Sequence, residues 1–528
     1  MRLLADRNLL MSRLKHYVQA LASGYLLLGV NTVFTLASVP LALHFLPLDR
    51  LGLWAVTSQV AGYLALLDFG LSGALARLLV DHKDQRESDE FGSLVQTGFY
   101  VGFVQGALVA LAAAVLVLVP ERLPGLASAG PTEFRWLMLG QCLLLGLSFA
   151  GRTFTSVLWA YQRTDLGNLA QVAGLLINFL VQWMAFRAGA GVFALLWGQL
   201  GGIITSTGLS AAACGWRRLL PAKGKWGRAD WKRFRSVFRF GQEVFLFTLG
   251  SQMIQASQTI VLVPALGFAA AAVWSVCTRP YLLVCQAVWR IMDFSTPPLA
   301  EMHVRGERDL MLRRFRSVTI LTGVIAVTAA VIFAVCNQRF IAVWTRGKVS
   351  WDVSNDVLLG LWCVVMAVQR CHTSLLGATK EFRTLKVVYF LEGTVFVCLA
   401  LWSAPRWGFP ALIGSSLLAT SSLSFAHGLW RTKTDFNLSW REMLDWLRPA
   451  LQAGCVLIFL GAAAFWLTAG LRPVVGFFAA GIPLGVAGFW LVLQVGLDNE
   501  MRSRMTDFLP TRFWPTRLRA SRRLDDNP

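Results

Sequence analysis

The chain has 528 residues, of which 55% are hydrophobic and only 15% charged, with a mean hydropathy of +0.55. That composition excludes an ordinary water-soluble globular protein. A net charge of +20 would suggest nucleic acid in a soluble chain, but here the basic residues gather between apolar runs, which points to membrane orientation.

Apolar runs of about 20 residues recur along the chain, each long enough to cross a bilayer. Residues 1–17 are basic and mixed, with Arg2, Arg7, Arg13 and Lys15, and read as a short helix at a membrane surface. The first apolar run is too long for a cleavable signal and reads as an uncleaved span. Spans are expected at about 20–45, 51–66, 92–119, 134–160, 166–186 and 192–214. After the second comes a glycine-softened helical continuation holding Asp68 and Arg77, then a charged turn at 81–90. Residues 215–239 carry nine Lys/Arg against the single Asp230 and form the natural boundary between halves. Eight further spans follow at about 240–267, 269–292, 318–335, 357–378, 385–401, 411–429, 449–469 and 474–497, then a basic tail at 498–528. The expected fold is an all-α polytopic membrane protein of about fourteen transmembrane helices, with twelve the next count.

Orientation follows from charge. With the N-terminus cytoplasmic, about 35 of the 49 Lys and Arg fall on the cytoplasmic side and about nine on the other. An even span count puts the basic tail inside too. The nine cysteines lie in or against apolar segments without metal-type spacing, so reduced packing thiols are expected.

Two stretches repeat. Arg152-Thr153-Phe154-Thr155-Ser156 and Arg370-Cys371-His372-Thr373-Ser374 each bury an arginine about eight residues before a polar exit. Asp68-Phe69, Leu75-Ala76, Phe91, Ser93 and Thr97-Gly98 correspond in order to Asp293-Phe294, Leu299-Ala300, Phe315, Ser317 and Thr322-Gly323. Six spans separate the copies, so the halves share one orientation, with the working site expected between them.

Intramembrane arginines are costly and usually face a wet interior. Arg279 lies mid-span beside Thr278 and Pro280, more than about 15 Å from either end at helical rise, too far for snorkelling. Arg290 follows three turns later on nearly the same face, and could extend a ladder of charge or pair with Asp293 at i+3. Arg152 and Arg370 gain weight from repetition; snorkelling to the cytoplasmic interface is the bland alternative. Asp68 and Arg77, nine residues apart, face opposite sides of a straight helix and would pair only if Gly70 or Gly73 breaks it. Glu243 and Glu392 are intramembrane acids for charge balance or ion coupling, and His44 and His372 are expected at the interface. Arginine excess over the acids suits phosphate oxygens rather than cationic drugs. A diphosphate headgroup is the natural cargo. No catalytic set, phosphate-binding loop or metal cluster occurs, and no cofactor is expected.

At Leu51-Gly52-Leu53-Trp54-Ala55, Tyr63-Leu64-Ala65-Leu66-Leu67-Asp68-Phe69-Gly70-Leu71 and Ala76-Arg77, the sequence resembles the bacterial oligosaccharide flippase (polysaccharide biosynthesis/export) family. That family belongs to the multidrug/oligosaccharidyl-lipid/polysaccharide exporter superfamily. Pro297-Pro298-Leu299-Ala300-Glu301 and Ala160-Tyr161-Gln162-Arg163 are similar to its exits from spans eight and four. The resemblance implies two six-helix lobes, at 1–215 and 240–430, joined by a cytoplasmic linker at 216–239 and followed by two extra helices at 431–497. It implies transfer of an undecaprenyl-diphosphate-linked oligosaccharide across the bacterial inner membrane by a monomer, without nucleic acid or enzymatic chemistry. A cationic lumen is carried over onto Arg77, Arg152, Arg279, Arg290 and Arg370. Partners would be the lipid-linked oligosaccharide, membrane lipids and polysaccharide polymerase or assembly proteins. The rivals are an ion-coupled multidrug antiporter on the same fold, a polysaccharide polymerase or ligase, and a non-transporting scaffold that docks an assembly complex through the basic loop.

Overall fold

A computed structural model describes residues 2–82, 89–117, 131–228, 231–379 and 382–497. The basic tail at 498–528 and most of the charged turn at 81–90 lie outside the described residues. The described chain is helical throughout: α1 Arg2–Phe45, α2 Leu48–Leu64, α3 Leu71–His82, α4 Asp89–Val117, α5 Pro131–Ala160, α6 Thr164–Arg187, α7 Phe193–Trp216, α8 Trp231–Cys277, α9 Arg279–Val304, α10 Arg308–Trp344, α11 Val353–Ala378, α12 Phe382–Thr420, α13 Ala426–Phe436, α14 Trp440–Leu467 and α15 Pro473–Leu491. Without water to pair backbone groups, helices satisfy them internally, which is why an apolar chain of this length takes this form. The protein is an all-α polytopic membrane protein.

Among the described residues ten helices are long and apolar enough to cross a membrane, or eleven with the bent pair Leu48–Asp68 and Leu71–Val80. Two of these, Thr248–Val304 with 57 residues and Thr384–Phe436 with 53, exceed one crossing, which takes about 20. Each bends at a glycine in a non-helical conformation, Gly267 at φ 87° and Gly408 at φ 66°. Each of these two is long enough for two crossings, so the described residues hold more crossings than candidate helices. Large apolar side chains such as Phe103, Leu143, Phe459 and Leu467 point outward, at 72, 65, 75 and 83% exposure. In water that much apolar surface would drive association; in a bilayer it meets lipid.

The chain packs as two compact units. One comprises Met1–Arg279, Trp344–Trp351 and Phe382–Ala419, the other Pro280–Val343, Asp352–Glu381 and Thr420–Pro528. The basic stretch at 215–239 divides between a loop after α7 and the first turns of α8, since α8 already begins at Trp231.

In the first unit, small residues bring backbones close. Gly174 of α6 meets Gly202 of α7, and Gly198 sits against Asn178. Gly52 on α2 packs against the Phe268 carbonyl just past the α8 kink, where any Cβ would overlap it. Gly52→Val is therefore expected to cost about 3 kcal/mol, as overpacking against backbone does. The check is the apparent melting temperature of the purified protein, together with its yield from membranes.

The sequence repeat reappears in three dimensions. Leu75, Phe91 and Val157 share one buried core in the first unit. Leu299, Phe315 and Leu375 share another in the second. Phe91 and Phe315 are each 0% exposed. Each unit thus carries the same three-helix core from corresponding residues.

Candidate functional site

In the first unit α2 ends in a tight turn at Ala65–Asp68. Phe69 and Gly70 then adopt left-handed φ values of 47° and 71°, and the following helix departs by 47°. Such a break exposes backbone carbonyls inside an apolar layer, where they need partners. Gln105 of α4, only 5% exposed, donates to the carbonyls of Leu67 and Asp68, both at 3.1 Å. The Asp68 carboxylate accepts from Ser72 Oγ at 2.6 Å and lies 3.1 Å from Arg152 Nη1 of α5. The Arg152 guanidinium also sits 4.4 Å from the Phe149 ring centre. The broken helix is thereby clamped to α4 and α5.

The second unit repeats the pair. Arg370 of α11 donates to Asp293 of α9 at 2.9 Å, with its guanidinium over the Trp289 ring at 5.9 Å. Asp293 corresponds to Asp68 and Arg370 to Arg152 in the sequence repeat. The alternative i+3 pairing of Arg290 with Asp293 does not occur among the described residues; the carboxylate turns to α11, where Arg370 reaches it with a direct charge-assisted bond. The structure also changes the weight of Arg152 and Arg370. Each is neutralised by its own carboxylate, at side-chain exposures of 33% and 45%. The space beside Arg152, lined by Ser72, Gln105 and Ser156, holds about 20 Å³, room for about one water. Each pair joins two helices of its own unit.

Arg279 is placed differently. It follows Thr278, whose N–H and hydroxyl both bond the Trp274 carbonyl, at 3.1 and 2.7 Å. It opens α9 beside Pro280, which supplies no N–H to the helix. The side chain is half-buried, and among the described residues no carboxylate pairs with it. Arg279 is therefore a cation without a carboxylate partner among the described residues, separated only by Thr278 from the end of α8 at Cys277. Arg290, on the same helix, is exposed and forms no ion pair among the described residues. Arg77 lies in α3 and Glu243 in α8, with their side chains outside the described residues.

Glu392 is 1% exposed, inside the first unit. His44 is exposed. His372 is 1% exposed and hydrogen-bonded to Thr432 at 2.7 Å, because α11 turns that face into the second unit's core. Two residues carry more than the sequence suggested. Gln105 holds the broken helix, a role signalled only by an amide in an apolar run. Asp356, 0% exposed, accepts from Asn337 at 2.6 Å and adds a buried acid to the count.

The same all-helical arrangement is found among solved membrane-protein structures. A multidrug resistance MATE family transporter of the MOP superfamily, in an inward-facing conformation, aligns with a TM-score of 0.66 at 12% identity, over 76% of this chain and 94% of its own. The lipid II flippase MurJ, in an inward closed conformation, aligns at 0.63 and 14% identity, over 89% of this chain and 98% of its own. A MOP superfamily transporter from Pyrococcus furiosus Vc1, described as having a binding pocket of reverse polarity, aligns at 0.53 and 13% identity, over 79% and 95%. At these identities the likeness shows the fold. No curated protein sequence matches the chain. Residues 45–351, more than half of the chain, match the family described as polysaccharide biosynthesis protein, and the chain belongs to that family.

Proposed function

We propose that the protein moves an undecaprenyl-diphosphate-linked oligosaccharide from the cytoplasmic to the periplasmic leaflet of a bacterial inner membrane by alternating access. The carrying observation is Arg279, a half-buried guanidinium within a long apolar helical stretch that pairs with no carboxylate among the described residues. Such a group needs an anion, and a fork of N–H donors matches diphosphate oxygens. Family membership supplies the saccharide; the MOP fold supplies the route. The lipid tail stays in the bilayer while the headgroup and glycan cross. Both termini would be cytoplasmic.

Asp68 and Asp293 weigh against the rival drug antiporter. A cation exporter needs open carboxylates, and both are engaged by arginines. Directionality then comes from an ion gradient, with Glu392 and Glu243 as candidate coupling acids, or from consumption of the product by polysaccharide assembly proteins.

The test is deletion of the gene. Undecaprenyl-linked oligosaccharide is expected to accumulate in a pool that a periplasmic glycosidase reaches only after spheroplasts are lysed. Normal surface glycan with new drug sensitivity would replace the proposal with the antiporter.

A further inference from the structure

A second basic site lies at the opposite membrane face from most of the chain's positive charge. The ends of α1 and α6 and the turn 344–348, all parts of the first unit, enclose a pocket of about 580 Å³. That is within the range of small-ligand sites. Arg187, Arg346, Lys348 and His44 line it, with Trp183 and Trp344 beside them, and no carboxylate does. On the sidedness read from the loops, these are non-cytoplasmic residues, where only about nine of the 49 Lys and Arg fall. Three of that scarce set converge on one pocket, which an orientation signal does not explain.

The geometry is built. Trp344 Nε1 donates to the Leu36 carbonyl at 2.7 Å, pinning the turn to α1. Arg346 and Gly347 then take left-handed φ values of 53° and 74°. That reversal brings Lys348 Nζ to the Leu43 carbonyl at 2.5 Å, leaving its other donors for a ligand. The Arg187 guanidinium lies 5.4 Å from the Trp183 ring centre, which holds its plane while its edge remains available. Arg187, Arg346 and Lys348 are all exposed, so they are open to a molecule at the membrane surface. Trp183, 41% exposed, is a residue of the lipid–water boundary.

We infer that this pocket binds the phosphate headgroup of a lipid in the outer leaflet. Two sources share that chemistry: the carrier-lipid diphosphate after crossing, which rests on the flippase reading, and bulk anionic phospholipid. The bland alternative is that the three cations only cap helix-end carbonyls, as Lys348 does for Leu43.

The experiment uses the full-length protein in phosphatidylcholine nanodiscs, in an Arg279→Gln background that removes the proposed translocation site. Undecaprenyl diphosphate and phosphatidylglycerol are titrated separately, and bound lipid is counted by native mass spectrometry. Adding Arg187→Gln and Arg346→Gln is expected to weaken binding of at least one lipid about tenfold, as loss of charge-assisted bonds should. Arg187→Lys with Arg346→Lys is expected to restore most of it. An unchanged melting temperature in both double variants shows that folding is intact. Selective loss of the diphosphate supports carrier release; selective loss of phosphatidylglycerol supports a phospholipid occupant. Equal binding of both lipids with and without the two glutamines overturns the site. Because the readout is binding to purified protein, normal surface glycan in the deletion strain would sink the flippase reading and leave this result standing.

Discussion

Arg279→Ala is expected to abolish surface polysaccharide assembly while leaving the protein in the membrane at its normal level. The side chain is half-buried at the start of α9. A cation there is costly unless the site is wet or an anion visits it. Two charge-assisted bonds to a diphosphate are worth about 1.5–3 kcal/mol each, so their loss should weaken headgroup binding roughly a hundredfold or more. Folding should survive, because among the described residues the substitution strands no buried carboxylate. Arg279→Lys keeps the charge but loses the fork, and an intermediate defect is expected. Glycan export in a deletion strain complemented with each variant, beside immunoblots of the membrane fraction, makes the comparison. Normal assembly with alanine would remove the cationic-site claim.

Breaking either repeated ion pair is expected to impair stability and transport together, and to the same degree in both units. The Asp68–Arg152 and Asp293–Arg370 pairs are partly exposed, with carboxylates at 18% and 32%. Their worth lies between a surface pair and a buried one, so Asp68→Ala or Asp293→Ala should cost about 1–2 kcal/mol. Asp68→Ala with Arg152→Ala should be no worse than either single change if the pair only joins helices, and the exchange Asp68→Arg with Arg152→Asp should recover part of the loss. The melting temperatures of the four proteins form a double-mutant cycle. If Arg152 instead touches substrate, Arg152→Ala abolishes export while Asp68→Ala spares it, and the joining role fails.

Much of the architecture was legible in the one-dimensional pattern. Apolar runs near bilayer length set the span count, and Lys/Arg asymmetry set the expected orientation, because both follow from transfer free energy residue by residue. The internal repeat was also readable, and Leu75, Phe91 and Val157 with their counterparts Leu299, Phe315 and Leu375 form corresponding cores. What periodicity could not reveal was which charges meet. Asp68 and Arg152 are 84 residues apart, Asp293 and Arg370 are 77 apart, and only helix packing brings them within 3.1 and 2.9 Å. An arginine inside a span looks the same in sequence whether a carboxylate answers it or not. Folding neutralised two of the repeated arginines, left Arg279 without a carboxylate among the described residues, and drew Arg187, Arg346 and Lys348 into one pocket. The sequence alone thus determined a membrane protein of two related halves. Tertiary structure decided which of its cations pair with carboxylates across helices, since charge pairing depends on distances of a few ångströms between segments remote along the chain.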